Sequence, residues 1–237
     1  MPQRKLICIG GGEIKDRTTL KIDEYIVRLA KERAGDRRAN ALFLPTASHD
    51  HMPYYNSFHK VYTGLFDVKT DVALCAYRDV DFEKMKAKFE KADVVYVGGG
   101  DTVYMMQRWK EIGLLPLIED AYARGVILCG LSAGAICWFS DIYTDSASSG
   151  EGEKYSMYRG LGWVNEKISP HYAARMLDFD KLLCYNDAVA YGIEDDSALI
   201  LRDNVVVGSL TSGGNAWRIE SKDGVLQKTL VPPIDSE

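Results

Sequence analysis

Hydrophobic positions along this chain follow two rhythms. Short apolar runs such as "KLICI", "ALFL", "VVYV" and "VILC" each end in glycine or a polar turn. Between them lie longer segments whose apolar residues recur every three or four positions. In "TLKIDEYIVRLAKERAG", Ile22, Tyr25, Ile26, Leu29 and Ala30 share one helical face and Gly35 closes the run. The pattern predicts strands in "KLICIGGG", "NALFLPTAS", "TDVALCA", "DVVYVGGGD" and "VILCGLS". Helices are expected in "MPYYNSFHKVYTGLF", "DFEKMKAKFEKA", "TVYMMQRWKEIG" and "LLPLIEDAYARG". This alternation predicts an α/β fold, a mostly parallel sheet sandwiched by helices.

From about residue 140 the rhythm changes. "DIYTDSASSGEGEKYSMYRG" is polar and rich in Gly and Ser, which reads as a long surface loop, a candidate lid or dimer contact. The remainder shows short strands separated by "DN", "SGGN" and "KDG" turns, so antiparallel strands are expected near the C-terminus. With no linker, repeat or low-complexity tract, residues 1–237 read as a single domain.

Composition narrows the function classes. A net charge of −5 with scattered Lys and Arg gives no basic stripe for nucleic acid. No apolar run approaches the roughly 18 residues that span a bilayer, and the apolar start runs into a glycine turn without a cleavage-site pattern. Neither a nucleic acid nor a membrane partner is expected, and a homodimer is compatible with the sequence. The five cysteines contain no CxxC pair or Cys/His cluster. They read as reduced core residues of a cytoplasmic protein, with no metal site and no cofactor.

Candidate chemistry sits at the strand ends. "GLSAG", Gly130 to Gly134, matches G-x-S-x-G where a buried strand becomes a helix. A serine on so tight a bend needs neighbours without bulky side chains, and the bend lifts the Ser132 hydroxyl off the sheet. The Ala133 N–H and the following helix start then favour a developing negative charge. In "VVYVGGGD", Gly99 and Gly100 end another strand on the same sheet edge and are candidates to face Ser132 and add a second N–H. That turn lacks both G-x-G-x-x-G and a P-loop lysine, which argues against nucleotide binding. "IGGGE" belongs to the same edge, with no role assigned. A serine hydroxyl needs a base and the base an orienting group. Of His49, His51, His59 and His171, the last is favoured, because Pro170 restricts the backbone preceding it and favours an extended loop, which suits a rigidly placed imidazole. Glu194, Asp195 and Asp196 lie between two strand-like runs and supply candidate acids, of which at least two should be solvated turn residues.

"VYVGGGDT", "GLSAGAI", "SPHY" and "YGIEDDSAL", in that order, resemble the dipeptidase E and cyanophycinase family of serine peptidases. The resemblance covers the chain from its first strand to "GIEDDSALIL". It implies a fold similar to class I glutamine amidotransferases with serine in place of cysteine, Ser132 as nucleophile and His171 as general base. It also implies an oxyanion hole at Gly100 and Ala133, and small peptide substrates of Asp-X type. Two features depart from the family. Its third catalytic residue is a glutamate where this chain has Asp195, so Asp195, Glu194 and more weakly Asp145 are candidates. Its substrate-gripping arginines are reduced here to Arg175, which with Gly99 is the candidate substrate contact. The rival readings are an esterase-like acyl hydrolase at the same serine and a ligand-binding protein whose triad has decayed.

Overall fold

A computed structural model describes residues 2–77, 80–146 and 154–234 of the 237-residue chain. The first half alternates as its pattern predicts. Strand β1 (Lys5–Ile9) leads to α1 (Leu20–Ala34), β2 (Asn40–Leu44), α2 (Met52–Gly64) and β3 (Lys69–Val72). Then come α3 (Phe82–Lys91), β4 (Val94–Val97), α4 (Thr102–Glu111), α5 (Leu115–Ala123), β5 (Ile127–Leu131) and the short α6 (Ala133–Ile136). The helix starts are chemically marked. Asp81 and Asp101 accept hydrogen bonds from Lys84 N and Tyr104 N, and proline occupies the first turn of α2 and α5.

The second half consists of β6 (Phe139–Thr144), β7 (Ser156–Arg159), β8 (Val164–Ser169), α7 (Tyr172–Leu183), β9 (Ala188–Ile193), β10 (Ser197–Arg202), β11 (Val205–Thr211), β12 (Ala216–Lys222) and β13 (Val225–Leu230). The polar stretch read as a long loop is therefore strand at both ends, β6 pairing antiparallel with β7, while 147–153 lie outside the described residues. The buried Ile142 and Tyr143 hold β6 in the sheet despite its polar neighbours. Helix α7 is absent from the pattern reading.

Two sheets form instead of one. The seven-stranded sheet has the order β11-β10-β1-β5-β4-β2-β3, parallel from β1 to β3 with antiparallel β10 and β11 at its edge. A six-stranded sheet, β13-β12-β9-β8-β6-β7, takes the other C-terminal strands. Alternation along the central strands sends Ile7, Ile9, Phe43, Tyr96 and Cys129 to a core under α1 and α2. Leu6, Cys8, Leu44, Val97 and Leu128 face a second core with Trp109, Ile118 and Trp138. Burial on both faces is what makes these strands continuous apolar runs. Because β4, β5 and β1 are adjacent and parallel, their carboxyl ends set Gly98–Gly100, Ser132 and Gly10–Gly12 side by side. Among the described residues, no helix is long and apolar enough to cross a membrane, and no cluster of His, Cys, Asp or Glu could hold a metal ion.

Candidate active site

Ser132 sits between β5 and α6 with φ 51° and ψ −107°. A backbone so far from the ordinary regions costs about 1–3 kcal/mol and persists only where the surroundings dictate it. Here they do. Ser132 N–H donates to Ile9 O at 2.9 Å, and Ser132 O accepts from the N–H of Ala135 and Ile136 at 2.9 and 3.0 Å. The flanking glycines are required by contact: a Cβ on Gly130 would overlap Gly134 O, and one on Gly134 would overlap Val97 O. The helix thus lies directly on the β4–β5 backbone and the hydroxyl points outward.

His171 precedes α7 in a left-handed conformation, φ 48° and ψ 40°, its N–H donating to Gly10 O at 3.1 Å. Its Nε2 lies 2.9 Å from Ser132 Oγ and its Nδ1 2.6 Å from Asp195 Oδ1. With Nδ1–H donating to the carboxylate, Nε2 is the acceptor for the serine proton. The Asp195 loop is tied to the same strand end, since Asp196 N–H donates to Gly11 O at 3.1 Å. "IGGGE" acquires a reason from this. A Cβ on Gly11 would overlap Asp195 Oδ1 and stand 2.5 Å from His171 Cε1 and Nδ1, so the imidazole and carboxylate rest on a bare glycine.

Opposite lies the β4 turn. Gly100 has φ 138°, and a Cβ there would overlap Ala47 O. Gly99 packs beside Ser132. Among the described residues, the N–H groups of Gly100 and Ala133 have no protein acceptor, whereas Gly99 N–H donates to the Tyr54 hydroxyl at 3.2 Å. The Gly100 and Ala133 N–H groups are thus unengaged beside Ser132, whereas that of Gly99 is taken.

The model of peptidase family S51 matches residues 6–207. The chain belongs to peptidase family S51. It is a serine-type peptidase. Among its S51 relatives, the uncharacterized peptidase YgaJ of Bacillus subtilis is 30% identical over 240 aligned residues, covering 97% of each chain. A peptidase E of Shewanella sp. is 27% identical over 179 residues, 70% of this chain and 72% of that one. In fold, the chain is similar to a crystal structure of a peptidase from an acI-B1 actinobacterium, with TM-score 0.70, 18% identity and coverage of 98% and 95%. The corresponding values for a putative peptidase E of Listeria monocytogenes EGD-e are 0.60, 21%, 88% and 98%.

The other candidates from the S51 resemblance fall elsewhere. Glu194 points away from His171 and accepts hydrogen bonds from Asn215 N, Asn215 Nδ2 and Trp217 Nε1 at 2.9, 3.1 and 2.8 Å. Asp196 accepts from the Thr18 hydroxyl. Asp195 and Asp196 do form a turn, with Asp195 exposed, yet each of the three carboxylates has its own partner. Arg175, expected at the substrate, is 6% exposed. Its guanidinium donates to Tyr143 O at 3.0 Å, lies 3.6 Å from Asp145 Oδ2 and stacks 4.5 Å from the Tyr155 ring centroid. A lone arginine on an amphipathic helix is pulled inward when a carbonyl, a carboxylate and an aromatic face are all on offer. His49 packs on the Tyr104 ring and His59 pairs with Thr70 Oγ1, so neither reaches Ser132.

A cleft of about 530 Å³ opens over Ser132 and His171. Gly12, Glu13 and Lys15 form one wall, His51, Pro53, Tyr54 and Ser57 another, and Gly99, Gly100 and Leu131 complete the lining. The sequence pattern carried no signal that the start of α2 would wall this cleft.

Proposed function

We infer that the chain hydrolyses small peptides through a Ser132–His171–Asp195 triad and an acyl-enzyme. The observation carrying this reading is the unbroken pair of contacts, 2.9 Å from Ser132 Oγ to His171 Nε2 and 2.6 Å from Nδ1 to Asp195 Oδ1. His171 takes the Ser132 proton as Oγ attacks the scissile carbonyl carbon. The Gly100 and Ala133 N–H groups receive the oxyanion, and His171 passes the proton to the departing amine. Water then enters, loses a proton to His171 and bonds to the acyl carbon; the bond from that carbon to Ser132 Oγ breaks, His171 returns the proton to Oγ, and the acyl group leaves as a carboxylic acid. Asp195 keeps the productive tautomer and faces the imidazolium that forms.

The cleft volume falls in the usual range of small-ligand sites and suits a dipeptide or the end of a short peptide. An Asp-X preference rests on the family resemblance of the sequence motifs alone and gains nothing from Arg175, whose guanidinium is engaged inside the protein. The test is a panel of Asp-X, other dipeptide and simple ester substrates offered to the wild type and to Ser132→Ala. Dipeptide hydrolysis lost in the variant is the expected result. Hydrolysis of esters alone would replace the peptidase mechanism with the esterase one, and peptide hydrolysis retained by Ser132→Ala would remove the serine from the chemistry.

A further inference from the structure

Among the described residues, every N–H from Gly98 to Asp101 has an acceptor except that of Gly100. Gly98 N–H donates to Leu44 O at 3.0 Å and Asp101 N–H to Ala47 O at 2.8 Å, so the end of β2 and the residues after it grip both ends of the turn. Between them, Gly99 N–H donates to the Tyr54 hydroxyl at 3.2 Å. Of these three ties, the one to Tyr54 is made by a side chain. That ring is itself fixed, edge-on to Phe43 with centroids 5.0 Å apart. It also rests against bare backbone, since a Cβ on Gly98 would stand 2.9 Å from its Cε1. Burial pushes the phenol up to about 12, so a neutral hydroxyl meets the Gly99 N–H throughout the working pH range.

The middle tie matters because of the residues it holds. Three consecutive glycines have soft torsions and no side chains to anchor them, so hydrogen bonds decide where such a turn lies. Gly99 Cα joins the tied N–H to the peptide that carries the Gly100 N–H, and a shift of one moves the other. Resting on the triad reading above, we propose that Tyr54 is a positioning residue for the reaction: by holding the Gly99 N–H, it keeps the Gly100 N–H turned toward the oxygen that becomes negative when Ser132 attacks. Its hydroxyl transfers no proton in this role and touches no substrate. A donor to a developing charge is effective to the extent that its orientation is fixed beforehand. The wall that α2 contributes to the cleft therefore braces the glycine turn as well as bounding the ligand space.

The test uses Tyr54→Phe, which removes the hydroxyl and retains the ring. Tyr55→Phe is the control on the same helix, its hydroxyl facing Thr70 at 3.4 Å. Each protein is assayed on the dipeptide that the wild type hydrolyses fastest, labelled with a fluorophosphonate and melted. In Tyr54→Phe we expect kcat to fall about 10- to 10²-fold, at or below the cost of removing an oxyanion donor outright. KM should change by less than about 3-fold, the split that marks an interaction of the transition state. The labelling rate should fall with kcat, because the phosphoryl oxygen turns to the same N–H, and the melting temperature should stay close to that of the wild type. The ratio of wild-type to variant kcat should be constant from about pH 6 to about pH 9, where the phenol does not titrate. A raised KM at unchanged kcat would make Tyr54 a substrate contact, and unchanged kcat and labelling would show the turn held without it; either overturns the proposal. So does a loss of kcat that Tyr55→Phe shares, or one with no fall in labelling rate. A wild type that hydrolyses no dipeptide and takes no fluorophosphonate would fail the triad reading, and this proposal with it.

Discussion

Gly11→Ala tests the geometry of the site without touching any group in the proposed chemistry. Gly11 is buried at the end of β1, and its φ is not in the left-handed region, so alanine adopts its backbone without torsional strain. The added methyl overlaps Asp195 Oδ1 and stands 2.5 Å from His171 Nδ1, where ordinary contact begins at 3.4 Å. The imidazole must therefore retreat by about 0.9 Å, and the carboxylate by more. A misplacement near 1 Å costs about 10²-fold in rate, while overpacking at a buried position costs about 1–3 kcal/mol of stability. We expect kcat to fall roughly 10²-fold, with a folded protein by circular dichroism and a melting temperature lowered by several degrees. Gly64→Ala is the control, since nothing lies within 4 Å of a Cβ there at the end of α2; it should keep full activity. A folded Gly11→Ala enzyme with wild-type kcat would show that His171 and Asp195 need not rest against β1, and would refute the argument.

Further outcomes follow from the partners of the acidic residues. Asp195→Asn should lower kcat by about 10²–10⁴-fold by releasing the imidazole tautomer with little change in melting temperature. Glu194→Gln should instead destabilise by about 1–3 kcal/mol, because an amide faces three donors, and lower kcat far less; the reverse pattern would make Glu194 the orienting acid. Asp23, buried on α1, is pushed up to about 6 by burial, against the opposing hydrogen bonds from the Thr19 and Tyr62 hydroxyls. The folded state therefore prefers the neutral carboxyl. Its contribution is complete below the unfolded value of 3.8 and is lost as the pH rises through about 6. That difference corresponds to at most about 3 kcal/mol. Urea unfolding at several pH values should show Asp23→Asn gaining on the wild type between pH 4 and 7; parallel profiles would contradict the assignment.

The sequence carried the site's chemistry better than its architecture. Apolar runs ending in glycine were enough to line up β1, β4 and β5, and the G-x-S-x-G bend was legible from its own pattern between strand and helix, although the contact of Gly134 with Val97 that requires a glycine there comes from the neighbouring strand β4. The sequence ranked His171 first among the histidines, and the fold brings its ring to 2.9 Å from Ser132 Oγ across 39 positions of sequence. The fate of the acidic run was not legible, because what separates Glu194 from Asp195 is supplied by Asn215 and Trp217 on one side and by His171 on the other. The same holds for Arg175, whose inward turn depends on Tyr143, Asp145 and Tyr155. The split into two sheets was hidden because β9 and β10 read as similar apolar strands, and only tertiary pairing assigns them to different sheets. Gly11 shows the limit most clearly: nothing near it in the chain says that a histidine and an aspartate will lie against it.

The central claim is that the His171 imidazole makes the Ser132 hydroxyl reactive, and the rate of fluorophosphonate labelling followed by intact and peptide mass measures this most directly. The wild type should take up one phosphonyl group, on Ser132, with no adduct in Ser132→Ala and a rate at least about 10³-fold slower in His171→Gln. A wild-type protein that stays unlabelled, or a His171→Gln variant labelled at the wild-type rate, would contradict it.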